Sequence, residues 1–496
     1  MSRRRIPRKP PSDTAPNDGT PLGGLSDAAL VRELARRRLA RAGAGDLDAI
    51  EAAAGSAQLE FGEETLAVAV AALPPENGKP KPCPRCKRLV PVKAKARART
   101  VLTVAGDLRL TRNYHHCECG TGFYPRDAEL KLPEEGEVSD AMERRILDFG
   151  VNDTFESVAE RWCIHFPTPI SANLVRLVVD RAGARCEAAA SDEAMQLACR
   201  RRPAEPPSML TVGTDGSMLL TREASWKETK VGVVARGGFI PPGEERKRRR
   251  VEDARYVAVL GGQPEFKQAL AAALSAERAD EAETVVWLGD GARENWTLAA
   301  ELAPFAVQVL DIPHAVHWAM LCGKALLGEG HFLLSHWEAR IHQLIDADAP
   351  DEAIAELMAC LPFAQTDEQL AALDDVVGYY RTNEHRMRYR SFRARGLPVG
   401  SGIVESAHRH VLQVRMKRAG QRWSLPRARR MARLRAVYRT TGALNFHAAL
   451  RAGLSYPTPT AEQRARRPLE NSPRRATRTF SLHRGSSLNR AQLASK

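Results

Sequence analysis

No stretch of this sequence is long and apolar enough to cross a bilayer: the longest apolar runs, such as Leu66 to Leu73, fall far short of the roughly 20 residues a membrane helix needs. Met1 to Thr20 is basic and proline-rich and lacks the apolar centre of a secretory signal. Together these absences lead us to expect a cytoplasmic protein in a reducing compartment. Nor do the nine cysteines, an odd number, suggest a disulfide framework. Acids are scarce in one region above all. From Arg381 to Ser455 there are 18 Lys or Arg against two acids, Glu384 and Glu405, a local +16 that exceeds the +14 of the whole chain. A polyanion is the economical partner for such a segment, and nucleic acid is the usual one. The alternative is a solvated arginine surface.

What the chain does have is length and apolar content. Its 496 residues suggest roughly two to four folded units. With 43% hydrophobic and 27% charged residues, it can build real cores and is not disordered throughout.

Residues 1–25 read as a disordered basic tail. Residues 26–75 show helical apolar spacing (Leu25, Ala29, Leu30, Leu34, Leu39, then Leu47, Ile50, Ala53) and end at Pro74-Pro75, without identifiable chemistry. Residues 80–130 change character, with CPRC at 83–86, two strand-like runs about a turn at Gly106-Asp107, and CEC at 117–119. Cysteine pairs set in short hairpins describe a zinc ribbon: Cys83 and Cys86 supply two thiolates from one tight turn, and Cys117 and Cys119 close a tetrahedron about Zn²⁺. The second pair is tighter than the usual knuckle, so His115 or His116 is an alternative ligand, and four unrelated buried thiols are the bland reading. The isolated Cys163, Cys186, Cys199, Cys322 and Cys360 read as small buried hydrophobes.

Residues 136–200 are helical, and helices starting near Phe155 and Ser171 are compatible with a helix-turn-helix, as they are with any small bundle. Arg201 to Pro207 reads as a linker. From Met209 the pattern is three strands (209–213, 230–235, 255–260), a helix (264–278), a strand (284–288), a helix from Glu294 and a strand (306–310), which predicts an α/β unit over 209–317. Residues 318–385 are helical again. Residues 386–455 hold the basic segment and a long helix from about Ile403. Residues 457–496, with nine basic residues against two acids, read as a second disordered basic tail.

Asp215 follows the first strand of the α/β unit (TVGTDGS), and Asp290 follows the fourth (VVWLGDG). Open α/β sheets bind ligands at the ends of their strands, so both acids face one crevice if the strands are neighbours. Flanking glycines allow backbone or substrate to approach. Carboxylates so placed suit a pair of Mg²⁺ ions roughly 4 Å apart across a phosphate, although a lone Asp after a strand equally caps a helix or turn. Glu405 lies in GLPVGSGIVESAHRH, inside the basic segment. An acid there either binds metal or pairs with Arg409 one turn on. His408 and Arg409 share its helix face and suit a phosphate held beside a metal. Downstream, RMKRAGQRWS offers Arg415, Lys417, Arg418 and Arg422 for phosphate contact and Trp423 for stacking, with a core position the alternative for Trp423.

The segment 383–424 resembles the signature block of bacterial insertion-sequence transposases related to the Mutator-like group. GTDGS (213–217) and LGDGARENW (288–296) are similar to that family's two Asp motifs, and the resemblance spans about residues 80 to 450. It implies a multidomain α/β chain: an RNase H-like catalytic core with a helical insertion at about 318–385, preceded by zinc-ribbon-like and helical DNA-binding regions. It further implies that Asp215, Asp290 and Glu405 are the DDE ligands of Mg²⁺ or Mn²⁺. Asp311 and His314, in DIPHAVHW, would stand near the active site, where a strand-end Asp with a capping contact is the structural alternative. The activity implied is metal-dependent DNA cleavage at transposon ends and strand transfer to target DNA. Its partners would be terminal inverted repeats and target DNA, bound by a homodimer or higher assembly associated with the nucleoid. A structure-specific nuclease on the same scaffold, or a domesticated zinc-dependent DNA-binding regulator, are the rival readings.

Overall fold

The computed structural model describes residues 26–452, apart from 43–45, 134–135, 167, 190 and 238–250. The two basic tails therefore lie outside the described residues, as do the few residues of the gaps.

Two helices open the chain, α1 (Asp27–Ala42) and α2 (Leu47–Ala71). Asp46 caps α2 by accepting from the Ala49 amide at 2.9 Å. A small β module follows. In it β1 (Lys81–Pro82) pairs with β2 (Leu89–Val90), while β3 (Val92–Thr103), β4 (Gly106–His116) and β5 (Gly122–Phe123) form an antiparallel sheet. Helix α2 rests on β4, close enough at Gly62 that a Cβ would meet the Ala105 carbonyl at 2.7 Å.

After the short α3 (Pro125–Glu129) come α4 (Asp140–Gly150), α5 (Phe155–His165), α6 (Ala172–Glu187) and α7 (Asp192–Cys199). Ser139, Thr154, Ser171 and Ser191 cap the last four, each accepting a backbone amide of the first turn.

The main sheet is mixed. Strands β6 (Met209–Thr221), β7 (Ser225–Gly237) and β8 (Val251–Val259) run antiparallel. Helix α8 (Gln263–Ala276) then leads to β9 (Thr284–Gly289), and α9 (Arg293–Leu302) to β10 (Val307–Leu310). Strand β9 lies parallel to β6, and β10 parallel to β9, so the spatial order is β10-β9-β6-β7-β8. The β9–α9–β10 crossover supplies the dozen or more residues that a parallel pair requires, and β6 and β9 are joined through β7, β8 and α8.

The remaining helices are α10 (Ile312–Leu327), α11 (Leu334–Asp346), α12 (Pro350–Ala359), α13 (Asp367–Asn383), α14 (Tyr389–Ala394), α15 (Gly402–His408), α16 (Val414–Met416), α17 (Leu425–Thr441) and α18 (Ala443–Ala452). The helical stretch from Gly402 to Met416 includes a π turn at Arg409–Gln413, and the long helix expected from about Ile403 is broken between Met416 and Leu425.

Both faces of the sheet are covered, which is why its strands read as near-continuous apolar runs. One face (Leu210, Val212, Val234, Val286, Leu288) packs against α8, α9, α10 and the helices to α14. The opposite face (Val231, Val233, Ala235, Ala258) shares a core with α4–α7, α15, α17 and α18. Residues 136–200 are thus built into the same packed layer as the basic C-terminal helices. Among the described residues, no helix is long and apolar enough to cross a membrane.

Candidate functional site

The four clustered cysteines come together. Cys83 and Cys86 sit on the turn between β1 and β2; Cys117 and Cys119 sit on the turn between β4 and β5. All four sulfurs lie within 4.8 Å of one another, with Cys83–Cys119 at 3.7 Å and Cys86–Cys117 at 3.4 Å. A tetrahedral Zn–S bond of about 2.3 Å sets sulfurs about 3.8 Å apart. The donor set and spacing therefore fit Zn²⁺, and these four residues can hold a metal such as zinc. The Thr121 hydroxyl and amide lower the Cys119 thiol to about 6. Cys117, despite the lowering Cys119 amide, is carried up to about 12 by burial and its neighbouring thiols. The tight Cys-x-Cys spacing needs no histidine to complete the set. The His115 ring is buried with Nδ1 2.9 Å from the Val90 carbonyl, and His116 Nδ1 lies 3.2 Å from the Tyr114 hydroxyl.

Three aspartates stand at one level of the main sheet: Asp290 and Asp311 just past the ends of β9 and β10, and Asp215, expected to follow the first strand, midway along β6, where it pairs with Val231. Gly213 pairs with Leu288 across β6 and β9, and Gly289 with Leu310 across β9 and β10. Continuing those registers sets Asp215 level with Asp290, and Asp290 level with Asp311. In parallel strands residues at one level share a face, so the acids form a row. Each is held differently. Asp215, with a side chain 48% exposed, accepts from the Gly216 amide at 2.7 Å. Asp290 Oδ1 accepts from the Ala292 amide at 3.0 Å and from Asn295 Nδ2 at 2.8 Å, and Asn295 in turn bonds Thr214. Asp311 is fully buried, with Oδ2 2.6 Å from His314 Nδ1 and Oδ1 accepting the Ser401 amide at 2.5 Å.

That last contact ties the sheet edge to the loop that launches α15, and the Ile312 amide donates to the Val399 carbonyl beside it. Helix α15 lies across β6 and β7. It comes so close that a Cβ at Gly213 would overlap a Val404 methyl. Glu405, the next residue, is exposed, and among the described residues it forms no ion pair with Arg409. His408 is buried, its Nε2 3.3 Å from Asp215 Oδ2 without hydrogen-bond geometry. Burial pushes its pKa below the ordinary value, against the raising pull of Asp215. His314 titrates the other way: the hydrogen bond to Asp311 raises it, burial opposes, and the charges of Asp311, Asp290 and Asp215 add to the rise. The 2.6 Å contact with Asp311 sets the half-exposed imidazole beside the row.

Asp215, Asp290 and Glu405 are not gathered as the cysteines are. Among the described residues, the cysteines are the one group of three or more His, Cys, Asp or Glu ligands lying mutually within 4.8 Å. The flanking glycines, expected to admit a substrate, are filled by the chain itself: Val404 at Gly213, Glu228 at Gly216 and Tyr379 at Gly291, which has φ +92°.

Two residues expected to contact DNA are interior. Trp423 is 6% exposed, and its Nε1 donates to the Met416 carbonyl at 3.1 Å. Arg415 is 1% exposed and stacks over the Phe155 and Trp423 rings, each at 5.0 Å. An aromatic and a guanidinium that satisfy each other inside a core are not offered to a base or a phosphate, so both assignments are withdrawn. Arg418, half-buried, pairs with Asp153 at 3.0 Å. Arg409, Lys417 and Arg422 are exposed. Lys417 reaches the Ser217 hydroxyl, two residues from Asp215, and the Arg222 amide donates to the Trp423 carbonyl at 2.8 Å. The 417–423 loop therefore runs alongside β6, next to the acidic row.

Sequence reasoning missed the π turn after His408. Its freed carbonyls are taken up from α17, where the buried Arg435 donates to Val411 O at 3.1 Å and to His410 O. Burial lowers the Arg435 pKa to about 10. It also missed Asn295 as the brace of Asp290, for which LGDGARENW carries no signal beyond the spacing of one helical turn.

No family model and no curated protein matches the chain. Among solved structures it is similar to the Drosophila P element transposase strand transfer complex, at 10% identity over 65% of this chain and 82% of that one, with a TM-score of 0.22. So slight a likeness carries no argument about function.

Proposed function

We propose that the chain is a DDE transposase with an RNase H-like core, cleaving DNA at transposon ends and joining it to target DNA. The observation that carries this reading is the acidic row: Asp215 and Asp290 at one level of adjacent parallel strands, with the helix of Glu405 pressed onto the first of them at Gly213. The strand order supports it too, since three antiparallel strands followed by two parallel ones beside the first strand are the arrangement of an RNase H-like sheet.

Asp215, Asp290 and Glu405 offer only oxygen donors, which suit a hard cation such as Mg²⁺ or Mn²⁺. When bound, such ions supply Lewis-acid activation and charge stabilisation for phosphoryl transfer. The chain's own groups prepare the place. Asn295 and the Ala292 amide fix the Asp290 carboxylate. Asp311 orients His314 through Nδ1 and leaves the imidazole half-exposed, able to hold or pass a proton beside the row. Exposed Arg409, Lys417 and Arg422 give the DNA backbone a cationic track beside the acids.

The test is cleavage of a plasmid carrying the ends of the DNA segment that encodes the chain. Glu405→Gln, Asp215→Asn and Asp290→Asn should each cut at least about a hundredfold more slowly, with end binding retained. Cleavage surviving all three changes would refute the assignment, and cleavage without joining would make the enzyme a nuclease.

A further inference from the structure

The N-terminal helices take no part in either site, yet α2 has an unusual surface. It is 25 residues long, about 37 Å, and buries none of its residues. One side, with the half-buried Leu59, Gly62, Leu66 and Val70, rests on the β module, Gly62 against Ala105, and α1 packs along a flank where Ala53, Ala57 and Glu60 are half-buried. The opposite side carries Leu47, Ile50, Ala54, Ala57, Phe61 and Val68, at alternating steps of three and four residues. Glu64 fills the one polar position in that series. This is the a/d pattern of a coiled-coil seam, and here it faces solvent: Leu47 is 67% exposed, Ile50 42%, Phe61 67% and Val68 65%.

We propose that this seam binds the same seam of a second copy of the chain, with the two helices antiparallel. The surface fits that occupant in size. Four large, mostly exposed apolar side chains spread along a 25-residue helix, with the flanking stems beside them, match the roughly 800 Å² per partner that a stable interface needs. The direction follows from where the residues fall. A parallel pair sets Glu64 against Glu64 and Phe61 against Phe61, while Ala54 and Ala57 meet their own copies across a gap. Antiparallel pairing about the middle of the helix seats Phe61 over Ala57, Ile50 against Val68, and Glu64 opposite Ala54. Large then alternates with small, and like charges separate. Such a contact is isologous and closes as a two-fold dimer. The inference stands apart from the phosphoryl-transfer reading, since it uses no residue of the acidic row.

Sedimentation equilibrium of the full chain without DNA tests it. The chain should be a dimer at low micromolar concentration, and the double variant Phe61→Glu with Val68→Glu should be a monomer with unchanged helix content and bound metal. A monomeric parent chain at tens of micromolar, or a double variant that still dimerises, would overturn the proposal. Direction has its own test. Ala54→Lys should keep or tighten the dimer, because the lysine meets Glu64 of the second copy, whereas Ala54→Glu should weaken it about tenfold. Equal weakening by both would rule out the antiparallel pairing.

Discussion

The cysteine cluster and the acidic row are both candidate metal centres, and they differ in how finished they are. The four sulfurs already stand at metal-binding distances, whereas the carboxylates share a level of the sheet and a neighbourhood but not a single coordination sphere. Charge accounts for the contrast. With Cys119 lowered to about 6 but Cys117 carried up to about 12, the cluster is never fully charged near neutral pH, so the sulfurs pack together at small Coulomb cost, with hairpin turns enough to aim them. Two carboxylates 4 Å apart repel by about 4 kcal/mol at an effective dielectric near 20. A fold can therefore complete a thiol site by sequence alone, while on the proposed reading the carboxylate site is prepared by the backbone and would be drawn together by its cation.

The contrast can be broken or sharpened by experiment, and metal removal at the cysteines carries the largest effect. A structural zinc site contributes on the order of 10 kcal/mol, so strong chelation, or Cys83→Ser, should release about one zinc per chain and unfold the 81–123 module. Elemental analysis with proteolysis of that region checks this. Retained protection after metal loss would make the cysteines mere packing.

Trp423→Ala comes next, since emptying a buried tryptophan site costs about 3–5 kcal/mol. The variant should lose stability in urea while the salt dependence of DNA binding stays as it was. Lys417→Ala or Arg422→Ala should do the reverse, each lowering the salt slope by about one. A surface role for Trp423 would show as weakened binding with unchanged stability. Gly213→Ala should cost about 1–3 kcal/mol by pushing Val404, and Glu405 with it, away from β6. Its cleavage rate should fall well beyond what the lost stability explains, and a rate that merely tracks stability would detach α15 from the site.

The smallest effect concerns His314. Its folded pKa is raised, so the stability of the Asp311 pair is fully present below the unfolded value of about 6.5 and is lost as pH rises through the raised value. Comparing the parent chain with His314→Gln across that window should show the parent's advantage fading with rising pH. An advantage independent of pH would mean the imidazole does not titrate there.

Much of this was legible in the sequence because it was local. The strands near 209, 230, 255, 284 and 306 stood out through apolar runs between turn residues, and Asp290 through its place at a strand end; Asp215, expected just past the first strand, instead lies within β6, which runs on to Thr221 because its polar half pairs with β7. The cysteine pairs announced themselves by spacing. What stayed hidden was pairing between distant segments. Nothing in RMKRAGQRWS says that Trp423 bonds along β6 and shelters Arg415, because a cationic, aromatic loop reads alike whether it faces DNA or a core. The burial of Asp311 likewise depends on Ser401, 90 residues away. The π turn depends on Arg435 arriving from α17.

The most direct test of the central claim is the anomalous scattering of Mn²⁺ in crystals of the full chain. The account predicts manganese between Asp215 and Asp290 with Glu405 turned in to join them, and none of it after Asp290→Asn. Manganese absent from that sheet edge at millimolar concentration, while zinc fills the cysteine cluster, would contradict it.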